Sequence, residues 1–379
     1  MTPGRCGPVG ALASPAVHAV CVAAARPNFM KVKPVLDALE AAGAETSLVH
    51  AGQHYDADVS DVFFTDLGLR PPDHHLGSGS GSQATQTARV MTAFEPLLDR
   101  LRPDVVVVVG DVTATLAVAL VTAKSRARLA HVEAGLRSGN RTMPEEVNRI
   151  VVDRISDDLF APSADAVAHL RSEGVPDAAV HLVGNVMVDT LLANLERARA
   201  RTTLADLGLA PGEYGVVTLH RPANVDDPSV LAGLLRALGQ VARECPLVFP
   251  VHPRTRAALD GHVLPEGLRP VPALGYLDFL ALEAGARVVL TDSGGLQEET
   301  TVLGVPCLTL REETERPITV SEGTNVVVGR EPERIVAAAR TALGQAVTPP
   351  TPHPPAPARR PEGWDGHAAD RIAAVLCRR

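Results

Sequence analysis

Two α/β domains, each a doubly wound parallel sheet wrapped in helices and facing the other across a cleft, are what this sequence predicts. Three observations carry the expectation. Short apolar runs alternate with longer helix-like segments along most of the chain, as strand–helix–strand units require. One run, Val105–Val109, is five consecutive valines, the pattern of a parallel strand covered on both faces. The alternation also happens twice, and at roughly 150 residues per domain a chain of 379 residues holds two cores.

Residues 1–16 are rich in Gly, Pro and Ala and are expected to form a flexible leader. The first domain is expected over 17–185, with strands at Val17–Ala25, Thr46–Ala51, Val105–Val109, Leu129–Val132 and His181–Val183. Helices such as Lys31–Ala42 and Thr85–Leu101 lie between them. Only Arg5 precedes the first apolar run, which leads straight into a motif, so it reads as a strand and not as a signal peptide. The break is expected near Gly184–Gly212, where the Arg-rich, helical Leu191–Leu204 leads to a turn at Pro211-Gly212. The second domain, 186–347, is expected to carry strands at Gly215–Leu219, Leu247–Val251, Val288–Thr291, Cys307–Leu310 and Asn325–Val328. Its helices include Val230–Arg243 and Pro332–Leu343. Seven prolines in Pro349–Pro361 predict an extended linker over 348–361, and a last helix within 362–379 is expected to pack back on the first domain. Two such sheets leave a cleft between the carboxyl ends of their strands, where ligands of open α/β sheets bind.

Composition narrows the function. A net charge of −8 with 3% aromatics supplies neither the basic field nor the stacking platforms of a nucleic-acid binder. The five cysteines are widely spaced and odd in number, which is no disulfide framework and fits a reducing cytoplasm. No apolar run reaches the roughly 18 residues that a membrane span needs. No cluster has metal-ligand spacing, so no metal or other cofactor is expected. The sequence has neither a G-x-S-x-G elbow nor a G-x-x-x-x-G-K-[ST] loop, which argues against hydrolase and NTPase chemistry.

Four motifs carry chemistry. Ala25-Arg26-Pro27-Asn28-Phe29-Met30-Lys31 follows the first strand and sets two cations and free N–H groups at a helix entry, either an anion site or a solvated turn. Asp292-Ser293-Gly294-Gly295 follows Val288–Thr291 and opens a helix. Gly294 and Gly295 permit close backbone approach by a phosphate, and Glu299 one turn later suits a sugar diol. Thr314-Glu315-Arg316-Pro317 adds an Arg suited to a diphosphate. The densest stretch is His131–Arg149, with Glu133, Arg137, Arg141, Glu145, Glu146 and Arg149. Glu145 and Arg149, at i,i+4, share a helix face and form either a surface ion pair or part of a site. Asp111, Glu133 and His220-Arg221 all follow strands and so face the cleft. His54 and His252 are strand-end histidines open to either ligand contact or loop packing, and the pair His74-His75 reads as a solvated loop.

HVEAGLR followed by PEE-x-NR, then TDSGG-x-QEE and TERP, in this order, resembles the non-hydrolysing UDP-N-acetylglucosamine 2-epimerase family. The likeness runs from Arg26-Pro27 to Asn325–Gly329 and resumes at Trp364-Asp365-Gly366. It implies two Rossmann-like domains in the glycosyltransferase-B arrangement, a UDP-sugar substrate and a homodimer. It also implies reversible epimerisation at C2 through loss and re-addition of UDP. The positions matching the family's catalytic residues are Asp111, Glu133, Glu145, Arg149 and His220. Those matching its UDP contacts are Arg26, Lys31, His252, Phe279, Ser293, Gly294, Gly295, Glu299 and Arg316. One departure stands out: Pro222-Ala223-Asn224 replaces the Arg-Glu-Asn of the best-known bacterial members, beside the allosteric substrate site of some. Relatives with a Pro there include epimerases of diacetamido and uronic acid sugars, so the exact sugar stays open, as does a hydrolysing variant.

Overall fold

The computed structural model describes residues 16–52, 65–79, 81–344 and 360–378. His54, the leader except Ala16, and the linker except Arg360 and Pro361 lie outside them. The chain builds two wholly parallel sheets. Strands β1 (His18–Ala23), β2 (Glu45–His50), β3 (His74–His75), β4 (Val105–Val109), β5 (Arg128–Val132), β6 (Asp158–Ala161) and β7 (Val180–Leu182) lie in the order 3-2-1-4-5-6-7. Strands β8 (Gly215–Thr218), β9 (Leu247–Val251), β10 (Leu268–Pro272), β11 (Val288–Thr291), β12 (Cys307–Thr309) and β13 (Asn325–Val327) lie in the order 10-9-8-11-12-13. In each sheet the order reverses once, between β1 and β4 and between β8 and β11, which opens a crevice at the carboxyl ends of those strands.

The valines of β4 are buried along the whole strand, as parallel packing under two helical layers demands. Three strands were not foreseen. β3 is only two residues long, β6 is the short DLFA, and β10 is an edge strand containing two prolines. Such pieces lack the length or the β-branched run that marks a strand locally. His74-His75 is therefore no solvated loop: it pairs with Val49 and His50, and His75 Nδ1 stands 3.4 Å from His50 Nδ1.

Helix α1 (Arg26–Ala41) starts five residues ahead of its expected position. Pro27 suits the first turn, and Asn28 caps it by accepting from the Ala25 N–H at 3.0 Å. The motif ARPNFMK is thus the helix start itself. After it come α2 (Gln83–Leu101), α3 (Thr113–Thr122), α4 (Pro144–Ile155), α5 (Ala164–Ser172) and α6 (Val186–Arg199). The second sheet carries α7 (Pro228–Ala242), α8 (Tyr276–Ala284), α9 (Gly294–Leu303) and α10 (Pro332–Ala342) among its helices, and α11 (Ala368–Leu376) ends the chain. None of the described helices is long and apolar enough to cross a membrane.

Helix α6 is the spine between the sheets. Its Val186, Val188 and Leu191 share one apolar cluster with Phe29 and Leu36 of α1, Leu277 and Leu280 of α8, and Ile372 of α11. The last helix docks on it through Asp189, whose carboxylate accepts the Ala368 and Ala369 N–H groups at 3.2 and 2.7 Å. Trp364 is buried ahead of that helix and donates its indole N–H to the Pro162 carbonyl at 2.9 Å. Gly184 permits this docking: a Cβ there would sit 1.9 Å from the Gly363 carbonyl oxygen. The C-terminal segment therefore ties back to the first sheet and its helices, and the crevices of both sheets meet.

Candidate active site

The site forms where strand ends from both sheets converge. β5 leads into Glu133, whose φ of 73° is one of two left-handed values among the described non-glycine residues. That turn directs a buried carboxylate between two cations, Lys31 Nζ from α1 and Arg316 Nη2 at 3.3 Å from beyond β12. Gly110, at the end of β4, has a φ of 65°; a Cβ there would approach Glu133 Oε2 to 3.3 Å and Lys31 Nζ to 3.4 Å. A side chain at that position would press into the ion pair.

Arg316 joins the two halves. Beyond Glu133 it stands 2.8 Å from Glu315 Oε1 through Nη1, and Nε lies 2.9 Å from Glu298 Oε1. Burial disfavours its charge, but Glu298, Glu315, Glu133 and Asp111 outweigh that and hold it above the usual arginine range. Glu315 also meets Arg311 at 2.7 Å and Arg221 at 3.4 Å. Burial pushes the Glu315 carboxyl up, but Arg316, Arg311 and Arg221 prevail and hold it far below the usual range. Gly294, the first residue of α9, makes room for this group, since a Cβ would lie 2.5 Å from Arg316 Nη1. Asn140 adds a second bond between the halves, donating to Glu313 at 3.0 Å.

Arg149 carries the other arm. It reaches Asp111 through Nη2 at 2.5 Å and Glu146 through Nη1 at 2.8 Å. The expected partner at i,i+4, Glu145, is half-buried and makes no ion pair among the described residues; Glu146 at i,i+3 takes that place. The reason lies in the preceding loop. Glu146 accepts the Ser138 and Gly139 N–H groups at 3.0 and 2.9 Å, which fixes it on the buried side of α4. Partial burial opposes ionisation of Asp111, yet Arg149 and Lys31 hold its carboxyl below the usual range.

His220 lies just beyond β8, and its Nδ1 stands 2.8 Å from Oδ1 of Asp292, the residue after β11. Asp292 is fully buried and also accepts the backbone N–H groups of His220 and Arg221 and the Asn224 amide, at 3.0, 2.9 and 3.1 Å. Burial raises its pKa, and the hydrogen bond and charge of His220 with these N–H groups bring it below normal. The imidazole is thus anchored on one side and partly exposed on the other. The His252 ring stands 6.0 Å from that of His220, centre to centre. Sequence reading missed Asp292, Glu146, Glu298 and Glu315, although each sits in a motif already singled out.

Of the expected UDP contacts, Ser293 sits at the N-cap of α9, followed by Gly294 and Gly295 in its first turn. The Ser293 N–H is already used, donating to Thr291 Oγ1 at 2.9 Å, so the N–H groups of Gly294 and Gly295 and the helix dipole are what this turn offers an anion. Phe279 is half-buried and packs with Tyr214, Val216 and Val248. Glu299 is buried in α9. Arg26 opens α1, and its side chain lies outside the described residues.

A family model described as UDP-N-acetylglucosamine 2-epimerase matches residues 37–377. A UDP-N-acetylglucosamine 2-epimerase of Methanococcus maripaludis is 39% identical over 82% of this chain and 87% of its own length. A UDP-2,3-diacetamido-2,3-dideoxy-D-glucuronate 2-epimerase of Pseudomonas aeruginosa is also 39% identical, over 85% of this chain and 91% of its own. Among solved structures, the Methanocaldococcus jannaschii UDP-GlcNAc 2-epimerase in complex with UDP-GlcNAc and UDP superposes with a TM-score of 0.85 at 36% identity. It covers 95% of this chain and 99% of that one. The sheets, their facing strand ends and this likeness agree: the fold is glycosyltransferase-B-like, and the chain belongs to the UDP-N-acetylglucosamine 2-epimerase family.

Proposed function

We propose that this protein interconverts UDP-N-acetylglucosamine and UDP-N-acetylmannosamine without hydrolysing either. The observation that carries the reading is Glu133, a buried carboxylate held by a left-handed backbone between Lys31 and Arg316. A base lies there beside cations suited to a diphosphate. The C2–H of the sugar is a very weak acid, so its removal needs a positioned base and a departing group. The proton passes to a carboxylate, its electron pair forms the C1=C2 bond, and the C1–O bond breaks to release UDP and a 2-acetamidoglucal. Return of the UDP oxygen to C1, with a proton delivered to the other face of C2, completes the inversion. Groups are needed on both faces, and Asp111, Glu133, Glu145 and His220 are the candidates, with Arg149 holding Asp111.

Lys31, Arg316, Arg26, His252, the Ser293 hydroxyl and the N–H groups of Gly294 and Gly295 take the diphosphate and stabilise its charge as it leaves. Glu299 takes the ribose hydroxyls, and Phe279 lines the nucleotide site. Keeping UDP and the glucal in one cleft makes re-addition effectively intramolecular. The family likeness also supports a homodimer, a cytoplasmic location and a supply role in polysaccharide biosynthesis. Proton NMR of UDP-GlcNAc with the purified protein is expected to show UDP-ManNAc with only trace UDP. Free ManNAc with an equal amount of UDP would instead identify a hydrolysing enzyme.

A second sugar is favoured by two observations: the equal identity to the diacetamido-glucuronate epimerase, and Pro222 at the start of a short helix after Arg221. Turnover of that sugar alone, with UDP-GlcNAc untouched, would select it. Asp292→Asn tests the anchoring of His220. It keeps the shape but loses the carboxylate that fixes the imidazole, so kcat is expected to fall on the order of 10²–10⁴-fold. KM should stay within a few-fold, and an unfolding midpoint and UDP affinity close to wild type would separate this loss from a loss of folded enzyme.

A further inference from the structure

Behind Glu299 lies a group that the proposed reaction does not use. Glu283, on α8, is wholly buried, and neither of its carboxyl oxygens meets an N–H or O–H donor from the surrounding described residues. Oε1 of Glu299 and the Tyr276 hydroxyl are in the same position. Tyr276 and Glu283 are seven residues apart, on one face of α8, which packs against α9. What Glu283 does meet is the Glu299 carboxyl, within hydrogen-bond reach. Two ionised carboxylates cannot bond, and in a site of this kind they repel strongly; one proton between them turns the contact into a strong bond.

We propose that Glu283 is a positioning residue that donates a hydrogen bond to Glu299 and so presents Glu299 as an acceptor to the ribose hydroxyls of UDP. The proposal rests on the reading of Glu299 as the ribose contact. Burial pushes the Glu283 carboxyl well up, and the neighbouring Glu299 raises it further, so Glu283 is the member that keeps the proton. Burial and the charge of Glu298 raise Glu299 to about 8, against the lowering effect of its bond to Glu283. Near neutral pH Glu299 thus already holds a proton much of the time. Losing the bond from Glu283 would remove the influence that opposes this and leave it protonated more fully, with less acceptor capacity for a diol.

The experiment is isothermal titration of the full chain with UDP and with its 2′,3′-dideoxy analogue, for wild type, Glu283→Leu and Glu283→Gln. Wild type is expected to prefer UDP by roughly tenfold or more. Glu283→Leu should abolish that preference and raise KM with kcat nearly unchanged. Glu283→Gln, whose amide N–H donates in place of the acid, should restore both. Removal of a buried carboxyl should leave the Leu variant melting no lower than wild type. A Leu variant that keeps the preference, or a Gln variant that loses it as fully, overturns the positioning role. A wild type indifferent to the ribose hydroxyls overturns the reading of Glu299, and the proposal with it.

Discussion

Arg316→Met is expected to abolish measurable turnover, weaken UDP binding on the order of 10²-fold or more, and destabilise the fold by about 3–5 kcal/mol. Three carboxylates lose a buried partner at once, but they do not lose equally. Glu133 keeps Lys31, and Glu315 keeps Arg311 and Arg221. Glu298 keeps no ion pair among the described residues, only the charge of nearby Lys31, and its second oxygen already has no partner among them. Its carboxyl is raised by burial and restrained by the Arg316 charge, so without Arg316 it must take up a proton or stay as an uncompensated buried charge. Urea unfolding followed through the fluorescence of Trp364, the sole tryptophan, measures the stability loss, and calorimetry measures UDP affinity. A variant as stable as wild type would mean that the Glu298 contact is dispensable.

Glu133→Gln separates chemistry from binding. The amide cannot accept the C2 proton, so kcat is expected to fall on the order of 10²–10⁴-fold. UDP affinity should hold or improve, because Lys31 and Arg316 then lack a competing carboxylate and are free for the diphosphate. The two variants therefore move in opposite directions on UDP, though they break the same ion pair. If affinity collapsed in Glu133→Gln as well, the carboxylate would be an architectural strut and its assignment as an acid/base group would fail.

What the sequence made legible follows from the range of the interactions involved. β4, β9 and β11 stand where their apolar runs begin and end, because burial on both faces writes itself into consecutive residues. β3, β6 and β10 are too short or too proline-rich to leave such a mark, and their pairing comes from neighbours already in place. The site divides in the same way. Glu133, His220 and Asp111 could be named as strand-end residues. That Asp292 holds the His220 ring is a contact across 72 residues with no local spacing to announce it. At Glu145 and Glu146 the helical period allowed either residue to meet Arg149, and two loop N–H groups decided it. Glu283 reads as one charge in the run Leu280-Ala281-Leu282-Glu283-Ala284; only packing of α8 on α9 gives it a partner.

The net charge of −8 acquires a structural meaning as well. The acidic chain concentrates Lys31, Arg149, Arg221, Arg311 and Arg316 where the two halves meet, each beside carboxylates. Such cations are neutralised in place, and a diphosphate can replace a carboxylate on them without leaving a charge bare.

The central claim is that the C2–H bond breaks and re-forms in this cleft with UDP as the group that leaves and returns. Incubating the protein with UDP-GlcNAc in D2O and following the C2 proton by NMR tests it most directly. The account predicts that the C2 signal disappears as deuterium enters both UDP-GlcNAc and newly formed UDP-ManNAc. An intact C2–H in sugar that has nonetheless epimerised would contradict it.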